Sequence, residues 1–235
     1  MTNHFKYPNS SREKRSNVDK NGNFIFNNTP SERLRIIKFL TYESSHSFNQ
    51  AQDLRSQFGF QEIHPWDELL IMHSRRVSEF SVKLGKELGL DTANLLELKI
   101  AGMLHDIGKV YIPNEIIQKP GKLDESNKKI VRTHTTLGYD ILKSLNQYKE
   151  IAKYARSHHE RIDGKGYPDG LKGMEIPLGS RIIAVVDAYE AMTESRPYRQ
   201  PFTQKAAVEE LRKHAGTQFD GKIVEVFVNK VLGFK

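Results

Sequence analysis

The sequence predicts an all-α domain from about residue 61 onward, and three observations predict it. Apolar residues recur there at helical spacing, alternating β-branched runs are few, and Gly or Pro clusters fall between the periodic segments. Taken in order, a first helix is expected near 65–88, with Val77, Phe80, Leu84 and Leu88 on one face. A second, near 92–105, is capped by Thr92 and buries Leu98 and Ala101. A third, near 124–144, starts at the cap Asp124 and carries Ile130, Val131, Leu137 and Ile141 inward. A fourth near 147–159 turns Ile151 and Tyr154 to one side. A fifth near 179–193 has Ser180 as cap and Ile183 and Ala191 on its stripe. The last two are expected near 203–214, capped by Thr203, and near 220–232. Two stretches, 107–123 and 161–178, break the pattern. Non-helical segments of that length inside a compact domain usually carry function.

The first 60 residues form a short N-terminal extension, helical or flexible, ahead of a domain over 61–235. Residues 1 to about 28 are rich in Asn, Ser, Lys and Arg. Thr29-Pro30-Ser31-Glu32 then has the makings of a capping box, so a helix near 30–42 is expected. No internal repeat is visible.

The chain has 235 residues, enough for one large domain with a sizeable core, and no cysteine. Disulfides, thiolate catalysis and thiolate metal sites are therefore excluded, and any metal must be held by His, Asp or Glu. No run approaches the roughly 20 apolar residues of a membrane span, and the N-terminus lacks a secretory apolar core. A soluble, cytoplasmic protein is expected. The net charge of +7 draws on Lys6, Arg12, Lys14, Arg15 and Lys20 of the tail-like region and reads mainly as a hint toward phosphate ligands. A nucleic-acid module would need a basic stripe with interleaved aromatics, and there is none. The basic N-terminal arm is the natural place for a protein partner.

Histidines carry the chemistry. His73 is in register with Val77, Phe80 and Leu84. His134 lies on the stripe of Ile130, Val131, Leu137 and Ile141. His158 follows Ile151 and Tyr154, with His159 beside it. Asp187 follows Ile183, and His105-Asp106 closes the helix that buries Leu98 and Ala101. Any one of these alone reads as a satisfied core residue. Five helices each turning imidazole or carboxylate inward is a different matter, since buried aspartates cost several kcal/mol each unless paired or metal-bound. No Lys or Arg shares their inward stripes, so a cation is expected among them. Imidazole with carboxylate suits Fe, Mn, Zn, Ni or Co rather than Ca or Mg.

The order of these residues is more specific still: His73, then His105-Asp106-Ile107-Gly108-Lys109, His134, His158-His159-Glu160, Asp163-Gly164-Lys165-Gly166-Tyr167-Pro168 and Asp187. It resembles the HD-GYP family of the HD phosphohydrolase superfamily over about residues 62–232. KPGKL at 119–123, RIIAVVDAYEAMT at 181–193, RPYR at 196–199 and AGTQFDG at 215–221 belong to the same match. The resemblance implies an HD-domain helical bundle that hydrolyses cyclic di-GMP to the linear dinucleotide, and in some members on to GMP. It also implies two divalent ions, iron or manganese foremost. His73, His105, Asp106 and Asp187 would hold one and His134, His158 and His159 the other, with Asp106 as the bridge. Two metals roughly 4 Å apart can activate water and brace a phosphate for in-line attack.

Lys109 is implied as a catalytic cation that neutralises charge on the phosphate or assists the leaving 3′ oxygen. Positions matching Glu190, Arg196 and Arg199 contact the nucleotide in the family, and a guanidinium fork suits phosphate. A helix-end ion pair with Glu194 is the ordinary alternative for those arginines. The loop from Asp163 to Pro168 can turn sharply and shape the pocket, with Tyr167 as its one large planar group.

Three positions depart from the family. Some members use a Glu one turn before the first His for a third metal; here that position is Leu69, and Glu68 points about 100° away, so two metals are expected. Thr135 stands where Pro is usual, and Ser195 stands before RPYR in place of Asp. Two other functions are compatible with the motif set: a phosphodiesterase for another substrate, such as cyclic GMP-AMP or a mononucleotide, and a catalytically weak signalling or binding module.

Overall fold

The computed structural model describes residues 65–117, 119, 121–194 and 200–235. The extension over 1–60, with its expected helix and partner contact, lies outside these residues, as do Ser195, Arg196 and Arg199.

The elements, in order, are α1 (Pro65–Glu87), α2 (Thr92–Leu104), a 3-10 turn (Ile107–Tyr111), α3 (Asn114–Ile117), α4 (Glu125–Arg132), α5 (His134–Lys143), a 3-10 turn (Asn146–Tyr148), α6 (Lys149–Ser157), a 3-10 turn (Gly173–Glu175), α7 (Leu178–Thr193), α8 (Gln204–Lys213), α9 (Gly221–Val226) and a π-turn (Phe227–Val231). The described residues contain no β-strand, only one isolated bridge between Ala215 and Phe219. The all-α expectation holds. No helix among them is long and apolar enough to cross a membrane.

One core runs through the bundle, built from Val77 and Leu84 of α1, Leu98 and Leu104 of α2, Ile141 and Leu142 of α5, Ile151 and Ala155 of α6, Ile182, Ile183 and Val186 of α7, Leu211 of α8, and Phe227. α1 lies against α2, where Ser78 Oγ donates to the Lys99 carbonyl at 2.6 Å. α7 packs on α1, α6 and α8. The site residues therefore hang on helices whose apolar faces already interlock, which limits how far each can drift.

Capping follows expectation at two helices and departs from it at two. Asp124 accepts from the Asn127 amide at 2.8 Å, and Thr203 accepts from the Ala206 amide at 3.2 Å. Before α2 the cap is Asp91 instead of Thr92, its carboxylate accepting from the Asn94 amide at 2.8 Å. Before α7 the chain enters through Pro177, and Ser180 lies inside the helix, its hydroxyl donating to the Tyr154 carbonyl at 3.2 Å. Pro177, with its fixed φ, leads the chain into the helix and offers no side-chain acceptor for the first-turn amides.

The helix expected over 124–144 is two helices with a break at Thr133. Four successive side chains there turn back onto carbonyls three residues earlier: Thr133 Oγ1 to Ile130 at 2.6 Å, His134 Nδ1 to Val131 at 2.6 Å, Thr135 Oγ1 to Arg132 at 3.0 Å and Thr136 Oγ1 to Thr133 at 2.9 Å. Such back-bonding competes with the main-chain ladder and bends a helix. Thr135 thus occupies the family's proline position with a buried, bonded hydroxyl.

Candidate metal centre

His105 ends α2, and Asp106 adopts φ −99°, ψ 8°, which turns the chain into the following 3-10 turn. The turn is pressed onto α5. A Cβ on Gly108 would stand 1.9 Å from the His134 carbonyl oxygen, so only glycine fits. This approach puts Asp106 against His134, with Asp106 Oδ1 3.3 Å from His134 Nε2 and 3.9 Å from His158 Nε2. On the other side Asp106 Oδ2 lies 3.4 Å from His105 Nε2, while Asp187 Oδ1 lies 3.0 Å from His73 Nε2 and 3.9 Å from His105 Nε2. Potential ligand atoms fall into two clusters, Asp106 with His134, His158 and His159, and His73 with His105 and Asp106. All seven residues expected to hold metal are thus brought together, and Asp106 is common to both clusters.

The imidazoles are oriented from behind. His105, His134 and His158 each donate through Nδ1 to a carbonyl three residues earlier, those of Gly102, Val131 and Ala155, at 2.8, 2.6 and 2.7 Å. Each Nε2 is left as a lone pair facing the centre, the arrangement that backs metal-bound histidine. The Nε2 atoms of His134 and His158 lie 3.4 Å apart. Two lone pairs cannot bond to each other, and a cation between them removes the conflict. His105 Nε2, Asp106 Oδ1 and His73 Nδ1 are buried without a hydrogen-bond partner. Orphaned donors and acceptors of this kind are costly in a dry core, and the donor set fits divalent metal.

Protonation states agree with this fit. Burial holds His134, His158 and His159 below the ordinary imidazole range, His159 down to about 3, so all three are neutral near pH 7. Burial alone would raise Asp106 and Asp187, but the groups around them outweigh it and hold both carboxyls well below their usual range. These are Lys109 and His105 for Asp106, and the His73 hydrogen bond for Asp187. Burial also opposes protonation of His105, yet the neighbouring Asp106 charge wins and raises it. Metal binding requires anionic carboxylates and neutral imidazoles; His134, His158 and His159 already meet that, and at His105 a metal ion would take the place of the proton that Asp106 favours.

Lys109 corrects one expectation. Its ammonium sits 2.5 Å from Asp106 Oδ2, so a buried aspartate does have a basic partner, reached from the turn and not from a helix stripe.

Glu190, expected on the nucleotide, is only 4% exposed, and its carboxylate is bound by the Arg76 guanidinium at 2.5 Å. Arg76 also binds Glu194.

The Gly-Tyr-Pro loop folds back on the His158-His159-Glu160 segment. A Cβ on Gly166 would meet Glu160 Cα at 2.5 Å, and the Tyr167 amide donates to the His159 carbonyl at 3.3 Å. The Tyr167–Pro168 bond is cis. Tyr167 stacks on His159 with ring centroids 5.0 Å apart at 30°, and the Arg132 guanidinium lies 5.0 Å from the Tyr167 ring centre. Glu160, to which the sequence assigned no role, anchors the loop, its Oε1 accepting from the amides of Asp169 and Gly170 at 2.7 and 3.0 Å. The AGTQFDG segment supports the loop from outside, since the Thr217 carbonyl accepts from Asp163 N at 2.8 Å and Gln218 from Arg161 at 2.8 Å. Arg76, Glu160 and Arg132 were missed. For Arg76 the available signal was its spacing, three residues after His73 on one helix face.

A model of the HD domain family matches residues 61–223. The chain belongs to the HD domain family. Its HD-GYP character, expected from the ordered motifs, stands as well. A Vibrio cholerae relative, "3'3'-cGAMP-specific phosphodiesterase 1", is 38% identical over 177 residues, 75% of this chain and 38% of its own length. A Thermotoga maritima "Cyclic di-GMP phosphodiesterase" is 39% identical over 158 residues, 66% of this chain and 43% of its own length. The HD domain described here therefore spans about two fifths of those relatives. Among solved structures, an HDG"Y"P protein from Bdellovibrio bacteriovorus superposes with a TM-score of 0.60 at 18% identity, over 85% of this chain and 62% of that one. At that identity the likeness bears out the fold.

Proposed function

We propose that this HD domain is a metal-dependent phosphodiesterase that opens cyclic di-GMP to the linear dinucleotide pGpG, with GMP as the further product a second round of hydrolysis would give. The observation that carries the reading is Asp106, a buried carboxylate shared by two clusters of imidazoles whose free nitrogens face it. His73, His105, Asp106 and Asp187 hold one ion in this reading, and Asp106, His134, His158 and His159 hold a second. The mixed nitrogen and oxygen donors suit Fe, Mn, Zn, Ni or Co, and among these the HD-GYP resemblance points to iron or manganese. Such a pair supplies Lewis acidity toward the phosphate and toward a nucleophilic water.

The protein's own groups do the rest. In hydrolysis the bond from phosphorus to the 3′ oxygen breaks as water adds, and negative charge gathers on the phosphate and the leaving oxygen. Lys109, 28% exposed at the rim beside Asp106, is the cation placed to stabilise that charge and to give the leaving oxygen a proton. Tyr167 covers the His159 side and presents a planar group at the pocket edge, where a base could stack. Arg196 and Arg199 complete the proposed substrate contacts, and Glu190 acts through Arg76.

A mixed cyclic dinucleotide is the second reading, favoured by a relative named for 3′3′-cGAMP that is as similar as one named for cyclic di-GMP. Anaerobically loaded protein, assayed against cyclic di-GMP, 3′3′-cGAMP and mononucleotides, tests both. Linear product from cyclic di-GMP at the highest rate is expected. Preferred cleavage of cGAMP would install the second reading, and hydrolysis of mononucleotides alone would sink both. Tight binding of cyclic di-GMP without any product would make this a signalling module.

A further inference from the structure

His73 on α1 and Asp187 on α7 meet across the helix pair at 3.0 Å. Three residues further along each helix, on the same two faces, Arg76 meets Glu190 with Nε 2.5 Å from Oε2. The other arm of the same guanidinium holds Glu194, one turn beyond Glu190. Both carboxylates are removed from water, their side chains 5% and 12% exposed, whereas Arg76 is 34% exposed. Two buried anions one turn apart repel each other and pay for their desolvation unless a cation bridges them. A planar fork can do so from a single position, and a point charge cannot.

We propose that Arg76 is a positioning residue: by clamping Glu190 and Glu194 it sets the approach of α1 to α7, and thereby the spacing of His73 and Asp187 at one end of the metal centre. This rests on reading those two residues as metal ligands. The guanidinium binds only Glu190 and Glu194 of the α7 end and neither His134 nor His158, so its effect is expected to be largest at the His73 end. Ligand geometry must be held to within about 0.5 Å for tight binding, and the clamp lies one helical turn from both ligands.

The test is anaerobic titration of chelated, metal-free full-length protein with Mn(II), read as bound metal per chain by equilibrium dialysis, alongside melting temperature. Wild type is expected to bind two ions. In Arg76→Met one binding step weakens by about tenfold to a hundredfold while the other keeps its wild-type affinity. Arg76→Lys restores part of the loss, and Glu190→Gln weakens the same step more mildly. Unchanged affinity at both steps, with only KM for the nucleotide raised, would make Arg76 a substrate contact and overturn the proposal. So would equal weakening of both steps with a large fall in melting temperature. If Arg76→Met does not fold, Arg76→Lys and Glu190→Gln decide, and wild-type titrations in both refute the clamp. Failure of the proposed function reads differently: wild type would bind two ions and cleave no cyclic dinucleotide, leaving the titration of the variants to stand or fall alone.

Discussion

The two ends of the centre are built from different materials. At the His73 end imidazole meets carboxylate, with His73 Nε2 and Asp187 Oδ1 3.0 Å apart. At the His158 end the donors are His134, His158 and His159 with only the shared Asp106, and lone pairs confront each other at 3.4 Å. The first end holds anionic charge and relies on helix spacing, set through α1 and α7. The second gathers neutral imidazoles, oriented by the Val131 and Ala155 carbonyls and by the Tyr167 stack on His159. The difference teaches that cation binding serves the two ends for different reasons, charge balance at one and relief of facing lone pairs at the other, and that Asp106 couples them.

The largest effect belongs to the residue common to both ends. Asp106→Ala removes the shared ligand, so metal content and turnover fall together, turnover by about three orders of magnitude or more; elemental analysis beside product assays checks this. Lys109→Ala separates chemistry from binding. Its metal content stays at the wild-type value while kcat falls by about 10² to 10³, and parallel loss of metal would instead make Lys109 a structural partner of Asp106. Gly108→Ala drives a methyl into the His134 carbonyl and pushes the ends apart. A loss of about 2–3 kcal/mol is expected, read as a melting temperature lower by about 5–10 °C. The smallest change concerns the loop outside the His158 end, where the exposed Arg156–Asp169 pair binds at 2.6 and 2.7 Å. Arg156→Ala should shift the melting temperature by no more than about 3 °C and leave metal content intact.

The residues of the two clusters were legible because each is a rare residue type on an apolar stripe, in an order that matches a known motif set. His73, His134 and Asp187 could be placed from register alone. What could not be read depends on partners distant in the chain. Arg76 and Glu190 are 114 residues apart, and periodicity gives no hint that one binds the other. Glu160 follows two histidines within their motif, yet its carboxylate binds the amides of Asp169 and Gly170. The break at Thr133 lay hidden in a continuous apolar stripe, because hydroxyl back-bonding leaves the hydrophobic period unchanged. Lys109 escaped as the partner of Asp106 since it lies beyond the helix whose faces were being compared.

One buried carboxylate, Asp106, is common to both clusters, and counting metal tests its proposed role most directly. Elemental analysis of anaerobically prepared full-length protein should give two iron or manganese ions per chain. A chain that takes up no divalent metal under these conditions, while folded by its melting transition, would contradict the account.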